Sequence, residues 1–475
     1  MSSHVYEFGA AGDGSTDDTD AIEHAIRDGE GSVRFNRGDY RITRTLEISL
    51  AEFGRIGLEG SDGTAKLVMA GPGPAIRLVG THGGTASPGS VKPEVWERER
   101  MPQISNLEIE GAHPEADGIQ LAGTMQAVIS RVGLHRLRHG IHLHERNRNV
   151  IITNCQIYHN TGIGVFLDRV NLHQINIVGS HISYNRLGGI RIEGSEIRNL
   201  QITGNDIEYN NYKNFDVGKP DDPTAEIYID SRGTSKDVPR PSVREFTIAS
   251  NTIQATHSPN GANIRIIGPD PSGLLPVGMA AISGNLIGNQ AINLHLQHCS
   301  GIAITGNHIY GGYQHTLLVE DSRELTIGSN IIGHNNWTVT RQIDNNISLR
   351  NCSDCVLSNL QMRGAPAGKT TWDETWHGKP PRVHRALLEI VKSKRITVNG
   401  CQFLDPNPVG VHLEDSHSIS LGACQVHDQR TPSLMKKSVT WKGVGKGNLM
   451  SNNIVGAPLE IGANVELLKS GNLES

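Results

Sequence analysis

One six-residue unit, apolar-x-x-small-x-apolar, returns twelve times between Ile129 and Val455. Its copies start at Ile129, Ile152, Ile177, Ile202, Ile248, Ile282, Ile304, Ile327, Leu357, Val398, Leu421 and Met450. The intervals run from roughly 22 to 46 residues and are shortest where nothing is inserted, which is the signature of stacked repeats. A unit this short cannot bury its own apolar face, so neighbours must cover one another and the chain must grow as a solenoid. The fourth position holds Val132, Cys155, Ser180, Asn205, Asn251, Asn285, Asn307, Asn330, Leu360, Cys401, Cys424 and Asn453. Small polar side chains that stack on themselves suit a tight turn, where Asn amides hydrogen-bond along the stack.

Between successive copies lies a second pattern with period two, the mark of a strand with one buried face. It is clearest in Gly164-Val-Phe-Leu-Asp168, Gly189-Ile-Arg-Ile-Glu193 and Glu226-Ile-Tyr-Ile-Asp230. Two strands of this kind per repeat, joined by small-residue turns, lead to an all-β parallel solenoid of about twelve coils. A length of 475 residues would ordinarily suggest several domains, but repeat folds grow by adding units. The expectation is one β-helix domain over 1–475, with a cap segment at 1–48 and coils over 49–475. Insertions interrupt the coils at 81–102, 211–224, 233–241, 333–345, 363–385 and 428–437, and loops of such length in a compact fold are usually functional.

A net charge of -5 lacks the basic footprint of a nucleic-acid or membrane-surface binder. The start, Met-Ser-Ser-His-Val, has no basic n-region or apolar h-region, and no run of 18 apolar residues follows. The expectation is a soluble chain with no visible signal peptide and no assigned location. Six cysteines in so long a chain do not make a disulfide scaffold. Cys155, Cys401 and Cys424 read as small buried fillers of the turn column, and the lone Cys352-x-x-Cys355 lacks a second pair for zinc.

Residues 4–45 read as a strand from Val5 to Gly9, a turn, a helix from Asp18 to Arg27, and strands at Gly31–Phe35 and Asp39–Thr43. The run Glu7-Phe-Gly-Ala-Ala-Gly-Asp-Gly-Ser-Thr-Asp-Asp-Thr-Asp-Ala-Ile, with Val33-Arg-Phe and Gly38-Asp-Tyr-Arg-Ile, resembles the N-terminal segment of the pectate-lyase-like superfamily. That resemblance implies a right-handed parallel β-helix with an N-terminal capping α-helix that plugs the end of the coil. The expected partner is an oligo- or polysaccharide, and, by analogy of fold, a homotrimer is the oligomer to test. The resemblance is specific for fold and weak for chemistry. The polygalacturonase signatures Asn-Thr-Asp, Gly-His-Gly and Arg-Ile-Lys are absent, the nearest being Arg191-Ile-Glu193. The Asp-Asp pairs at Asp17 and Asp221 fall outside the coil strands, and the alginate epimerase Asp-Pro-His-Glu is missing, so no family's catalytic residues carry over.

The candidate site therefore rests on the outward columns. Stacked in register, the strands present Gln120, His142, Phe166, Arg191, Tyr228, Arg265 and His295 in one column and Ala122, His144, Asp168, Glu193, Asp230 in the next. Three carboxylates at strand spacing, about 4.8 Å per step, repel one another and do not serve stability. Asp168, Glu193 and Asp230 are the candidate catalytic residues; His142, His144, Arg191, Tyr228, Arg265 and His295 are the candidate substrate-binding residues. Glycoside hydrolysis needs two carboxyl groups, roughly 5–5.5 Å apart for retention or 6.5–9.5 Å for inversion, and one rung or two supplies either. Crowding from both sides marks Glu193 as the proton donor, with Asp168 or Asp230 as nucleophile or base. Arg191, Tyr228, Arg265 and His142 would alternatively serve a uronate lyase, with calcium bridging the acids to the substrate. The third alternative is a non-catalytic glycan-binding stalk of tailspike type. His142, His144 and Asp168 contain metal-ligand types, but among 22 histidines a pair arises by chance, and no metal or other cofactor is expected. Trp337, Trp372 and Trp376 sit in insertions where an indole can stack on sugar. Should the acids fail, the next column runs through His295, Glu320 and Arg350.

Overall fold

The computed structural model describes residues 3–84, 87–211, 223–255, 258, 260–269, 277–334, 345–364 and 385–474. Trp337, Trp372, Trp376 and most of the insertions 211–224, 333–345 and 363–385 lie outside the described residues. The chain forms two compact units, residues 1–212 with 227–247 and residues 213–226 with 248–475. None of the described helices is long and apolar enough to cross a membrane.

In the first unit the strands stack in parallel, coil on coil. Ile141 pairs with Val165, Val165 with Ile190 and Ile190 with Ile227. Leu143, Leu167, Ile192 and Ile229 form the next inward row, and all eight side chains are fully buried. Period two in the sequence thus becomes alternation between core and surface. The strands run farther than the pattern suggests: Ile141–Thr153 and Ile163–Val178 continue through a corner instead of stopping at the acids. The corner residues Glu145 and Arg169 sit at φ 59° and 45°, and the register slips by one between His144 and Arg146. A bulge bends the strand while leaving its pairing to resume beyond the bend.

The turns are held by amide ladders. Asn160 Nδ2 donates to Asn185 Oδ1 at 2.8 Å, and Asn185 Nδ2 to Asn210 Oδ1 at 2.8 Å. Asn185 also gives its second amide proton to the Ile157 carbonyl, 3.1 Å away on the coil before. The small-residue column contributes its own ladder, with Cys155 N–H donating to Ser180 Oγ at 3.1 Å and Ser180 N–H to Asn205 Oδ1 at 3.0 Å.

The helix Thr19–Asp28 buries Ile22, Ala25 and Ile26 on one face. Asp18 precedes it as expected, but its carboxylate accepts from the loop amides of Ala11 (2.6 Å) and Gly12 (3.0 Å) rather than from helical N–H groups. The expected strand at Val5–Gly9 is instead a 3₁₀ turn, Val5–Phe8. The Glu7 carboxylate accepts from His4 N–H at 3.2 Å, and Gly9 at φ 97° ends the turn. The insertion 81–102 is partly helical, with turns at Pro88–Ser90 and Val95–Glu99.

The second unit repeats the construction. Backbone N–H and side-chain Nδ2 of Asn251, Asn285 and Asn307 each donate to the next Asn in the series 251, 285, 307, 330, all at 2.9–3.0 Å. Cys352 N–H donates to Ser393 Oγ at 3.0 Å, so Cys352 belongs to a serine and cysteine column of its own. All six cysteines are free and buried. Burial pushes the Cys355 thiol up to about 11 and those of Cys299 and Cys352 up to about 12.

Two outcomes follow. Asn307→Ala strips the acceptor from both Asn285 donors and removes one donor from the Ile282 carbonyl, at about 1–3 kcal/mol per orphaned buried group. A lowered denaturation midpoint is expected, with a smaller drop for Gln156→Ala on the exposed surface. The native thiols should also resist an aromatic disulfide reagent at pH 8 and react only once the chain is unfolded.

Candidate functional site

The outward columns fall in the register read from the sequence. His142 pairs with Phe166, Phe166 with Arg191 and Arg191 with Tyr228; beside them His144 pairs with Asp168, Asp168 with Glu193 and Glu193 with Asp230. What the column reading left out is the cations. Arg169 Nη1 lies 2.8 Å from Asp168 Oδ1, Arg191 forms an ion pair with Glu193, and Arg232 grips Asp230 through Nε at 2.9 Å and Nη2 at 2.6 Å. Each carboxylate in the strip therefore has its own guanidinium. The strip is not a row of uncompensated anions, which corrects the premise that crowding alone distinguishes Glu193.

The acids divide into two surroundings. Asp168 faces the histidines: its Oδ2 is 3.6 Å from His142 Nε2, and the His142 ring stacks on Phe166 at 5.1 Å between centroids. Burial raises the Asp168 carboxyl, but the His142 contact and the charge of Arg169 outweigh it and leave it below the usual carboxylate value. His144 stands 5.4 Å from the His142 ring, and burial together with the His142 charge lowers its pKa. His139, which the column reading missed because it precedes the strand, closes this cluster 5.4 Å from Phe166. Its Nδ1 accepts the Ile163 N–H at 3.2 Å, so the ring is neutral with its proton on Nε2, and burial lowers its pKa to about 4.

Glu193 and Asp230 face a cavity of about 330 Å3 lined also by Arg169, Gly194, Arg232, Gly233 and Thr234. Gly233 and Thr234 begin the insertion 233–241, which thus supplies part of the cavity wall. Gly194 holds the corner at φ 51°, and a Cβ there would meet Arg169 Cγ at 3.3 Å, so glycine keeps the floor open. Asp230 is saturated: besides Arg232 it accepts from the Arg232 backbone N–H (3.0 Å) and the Tyr228 hydroxyl (3.3 Å). Glu193 uses only Oε1 on Arg191, and its Oε2 has no partner among the described residues. Tyr228 is only 3% exposed and lies under Arg191, whose Cζ is 5.0 Å from the ring centroid. It supports Arg191 and Asp230 rather than presenting its face outward.

Arg265 and His295 lie in the second unit and form a cluster there. Arg265 Nη1 is 2.7 Å from His295 Nδ1, and His295 Nε2 is 3.1 Å from Glu320 Oε2. Arg350 completes it, 3.6 Å from Glu320 Oε1. With both ring nitrogens engaged, His295 is a buried strut. Among the described residues, Glu108, Glu110 and His135 also bring three potential metal-ligand atoms within 4.8 Å, but Lys66 and Arg136 already bind Glu110 at 2.9 and 2.7 Å.

Residues 95–228 match the sequence model of the family described as right handed beta helix region. The chain is a right-handed parallel β-helix protein. No curated protein sequence matches it. Among solved structures, this β-helix protein is similar to the Dettilon tailspike protein, at 15% identity over 96% of this chain and 68% of the tailspike, with a TM-score of 0.48. It is similar to tailspike protein 2 from Escherichia coli O157:H7 bacteriophage CAB120, at 13% identity over 76% of this chain and 42% of that one, TM-score 0.45. It is also similar to the catalytic unit of a GH87 α-1,3-glucanase from Streptomyces thermodiastaticus, at 14% identity over 94% and 68% of the two chains, TM-score 0.35. This chain thus spans less than half the length of the second tailspike.

The β-helix protein's partly buried His139 sets a pH dependence with a defined sign. His139 has a folded pKa of about 4, below the ordinary value of 6.5, so the unfolded chain takes up the proton first as pH falls. Stability should therefore decline from about pH 6.5 down to about pH 4. His139→Gln should flatten that part of a melting-temperature profile, and a ring resonance titrating near 6.5 would contradict it.

Proposed function

We propose that this protein acts on a glycan, with the cavity of the first unit as its active site and Glu193 as the working carboxyl group. The observation that supports this reading is a single one. Two carboxylates one rung apart share an open polar concavity, and one of them, Glu193, keeps an oxygen that none of the described residues uses. In glycoside hydrolysis one carboxyl group protonates the departing oxygen while a second acts as base or nucleophile. Glu193 takes the first role because its Oε2 is available to a ligand. Asp230 takes the second, its position fixed by Arg232 and Tyr228, and Asp168 stands one rung away on the other side with His142 and Arg169. Arg169 and Arg232 line the same cavity and carry donors suited to sugar hydroxyls.

The elimination reading loses ground at Tyr228, whose hydroxyl donates to Asp230 and whose ring is covered, so it is not placed to take a proton from a sugar carbon. A specific observation favours the non-catalytic alternative: a carboxylate paired with arginine at each rung is also what a static glycan-binding wall requires. The two separate in one experiment on oligosaccharides of differing charge, with reducing ends as the readout. Glu193→Gln should lower turnover by about 10²–10⁴-fold at an unchanged melting temperature, the range for loss of a general acid. Asp230→Asn should lower turnover and also stability, because it breaks the Arg232 grip. Binding without turnover in the parent protein would favour the static wall. Turnover undiminished in both variants would place the chemistry elsewhere.

A further inference from the structure

Around the corner from the acids, the same coils carry a concentration of cations that the glycan reading does not use. Beyond the bulge, Arg146 pairs in register with Asn171 and Asn171 with Glu196, while Arg148 pairs with His173 and His173 with Arg198. Of these, Arg146, Asn171, His173, Glu196 and Arg198 line a second cavity of about 300 Å3, walled on one side by Ser87 of the insertion 81–102. Glu196 is the acid among the lining residues, and it is already committed, accepting from Asn171 Nδ2 at 3.1 Å and Arg198 Nη2 at 3.3 Å. Glu245 adds one more negative charge within range of His173, against the three arginines.

The donors, in contrast, are not all committed. Arg146 Nε and His173 Nδ1 are buried without a partner among the described residues. His82, within reach of the Arg146 and Arg148 charges, is 2% exposed, and neither of its ring nitrogens has a partner among the described residues. Arg148, 7% exposed, reaches the Ser87 carbonyl at 3.5 Å and Asn149 Oδ1 at 3.1 Å. Unpaired buried donors and guanidinium groups held close together both cost stability. A tetrahedral or planar oxyanion satisfies both at once, since guanidinium forks match such oxygens in geometry as well as charge. Burial and the neighbouring arginines also push His82 down to about 4, so that ring stays neutral and the positive charge is the arginines' own.

We infer that this second cavity is an oxyanion-binding site that takes a carboxylate or sulfate ester carried on a glycan. Its position supports that ligand. Glu193 and Gly194 line the acid cavity and Glu196 lines this one; on the coil before, Arg169 lines the first and Asn171 the second. The two cavities are thus two residues apart along each of two neighbouring coils, and a glycan laid over the corner puts one sugar at each. That the anion is borne on a glycan rests on the proposed function; that the cavity binds an oxyanion does not.

Calorimetry with inorganic sulfate and with three hexasaccharides, one neutral, one uronate and one sulfated, tests both halves. The parent protein should bind sulfate and should prefer a charged hexasaccharide over the neutral one by about tenfold or more, as hydrogen bonds to charged groups allow. Which of the two is preferred names the source of the oxyanion. Arg198 is the residue to change, because its side chain is 40% exposed and its loss should leave the fold intact. Arg198→Glu should abolish both sulfate binding and the preference at an unchanged melting temperature, and Arg198→Lys should restore part of each. Sulfate bound equally by the parent and by Arg198→Glu, or not bound at all, overturns the site. Sulfate binding lost only in Arg198→Glu, with no hexasaccharide bound or cleaved, keeps the oxyanion site and rejects the glycan.

Discussion

A parallel coil has to satisfy its turns with something other than its own backbone, and in this protein stacked side-chain amides and hydroxyls do it. Asn285, for example, accepts from the backbone and side chain of Asn251 on the coil before, donates back to the Ile248 carbonyl of that same coil, and donates forward to Asn307 on the coil after. The coil therefore advances by one strand spacing at every turn, and outward residues at equivalent positions are brought side by side whatever their chemistry. The candidate site depends on that constraint. Asp168, Glu193 and Asp230 lie 25 and 37 residues apart in sequence and neighbour one another because the turns between them stack.

Stacking acids carries an electrostatic cost, and the structure offsets it locally. Every carboxylate of the strip meets an arginine from its own strand or corner: Arg169 for Asp168, Arg191 for Glu193, Arg232 for Asp230. Short-range pairs of this kind are partly buried and less screened than fully exposed ones. The result is a surface dense in charge but nearly balanced, on which small differences matter. Asp230 has spent its oxygens and Glu193 has not, and that difference, rather than crowding, singles out Glu193.

The corner residues matter as much as the strands. A bulge at Glu145 and Arg169 and a glycine at Gly194 turn the chain through the bend and separate an acidic cavity from a basic one within a few residues. Neither cavity is visible in the strand pattern, because the first is built from residues on both sides of the bend and the second from residues beyond it together with Ser87. The insertions supply the walls, Gly233 and Thr234 on one side and Ser87 on the other.

The repeat unit and the period-two strands were enough to fix the fold, the register of the outward columns and the burial of the turn cysteines. Those features follow from local pattern repeated many times, and a parallel stack has only one way to align identical turns. The acids of the candidate site were legible for the same reason. What only the tertiary structure decided is which charge meets which. Arg169 follows Asp168 by one residue and Arg232 follows Asp230 by two, yet nothing in a period-two reading says that the chain bends back there and brings their side chains onto the carboxylates. Likewise Tyr228 reads as outward and is covered by Arg191, and Arg265 and His295 read as ligands and are engaged with each other and with Glu320. Side-chain pairing is set by corner geometry and by burial, which depend on the neighbouring coil and not on the spacing within one.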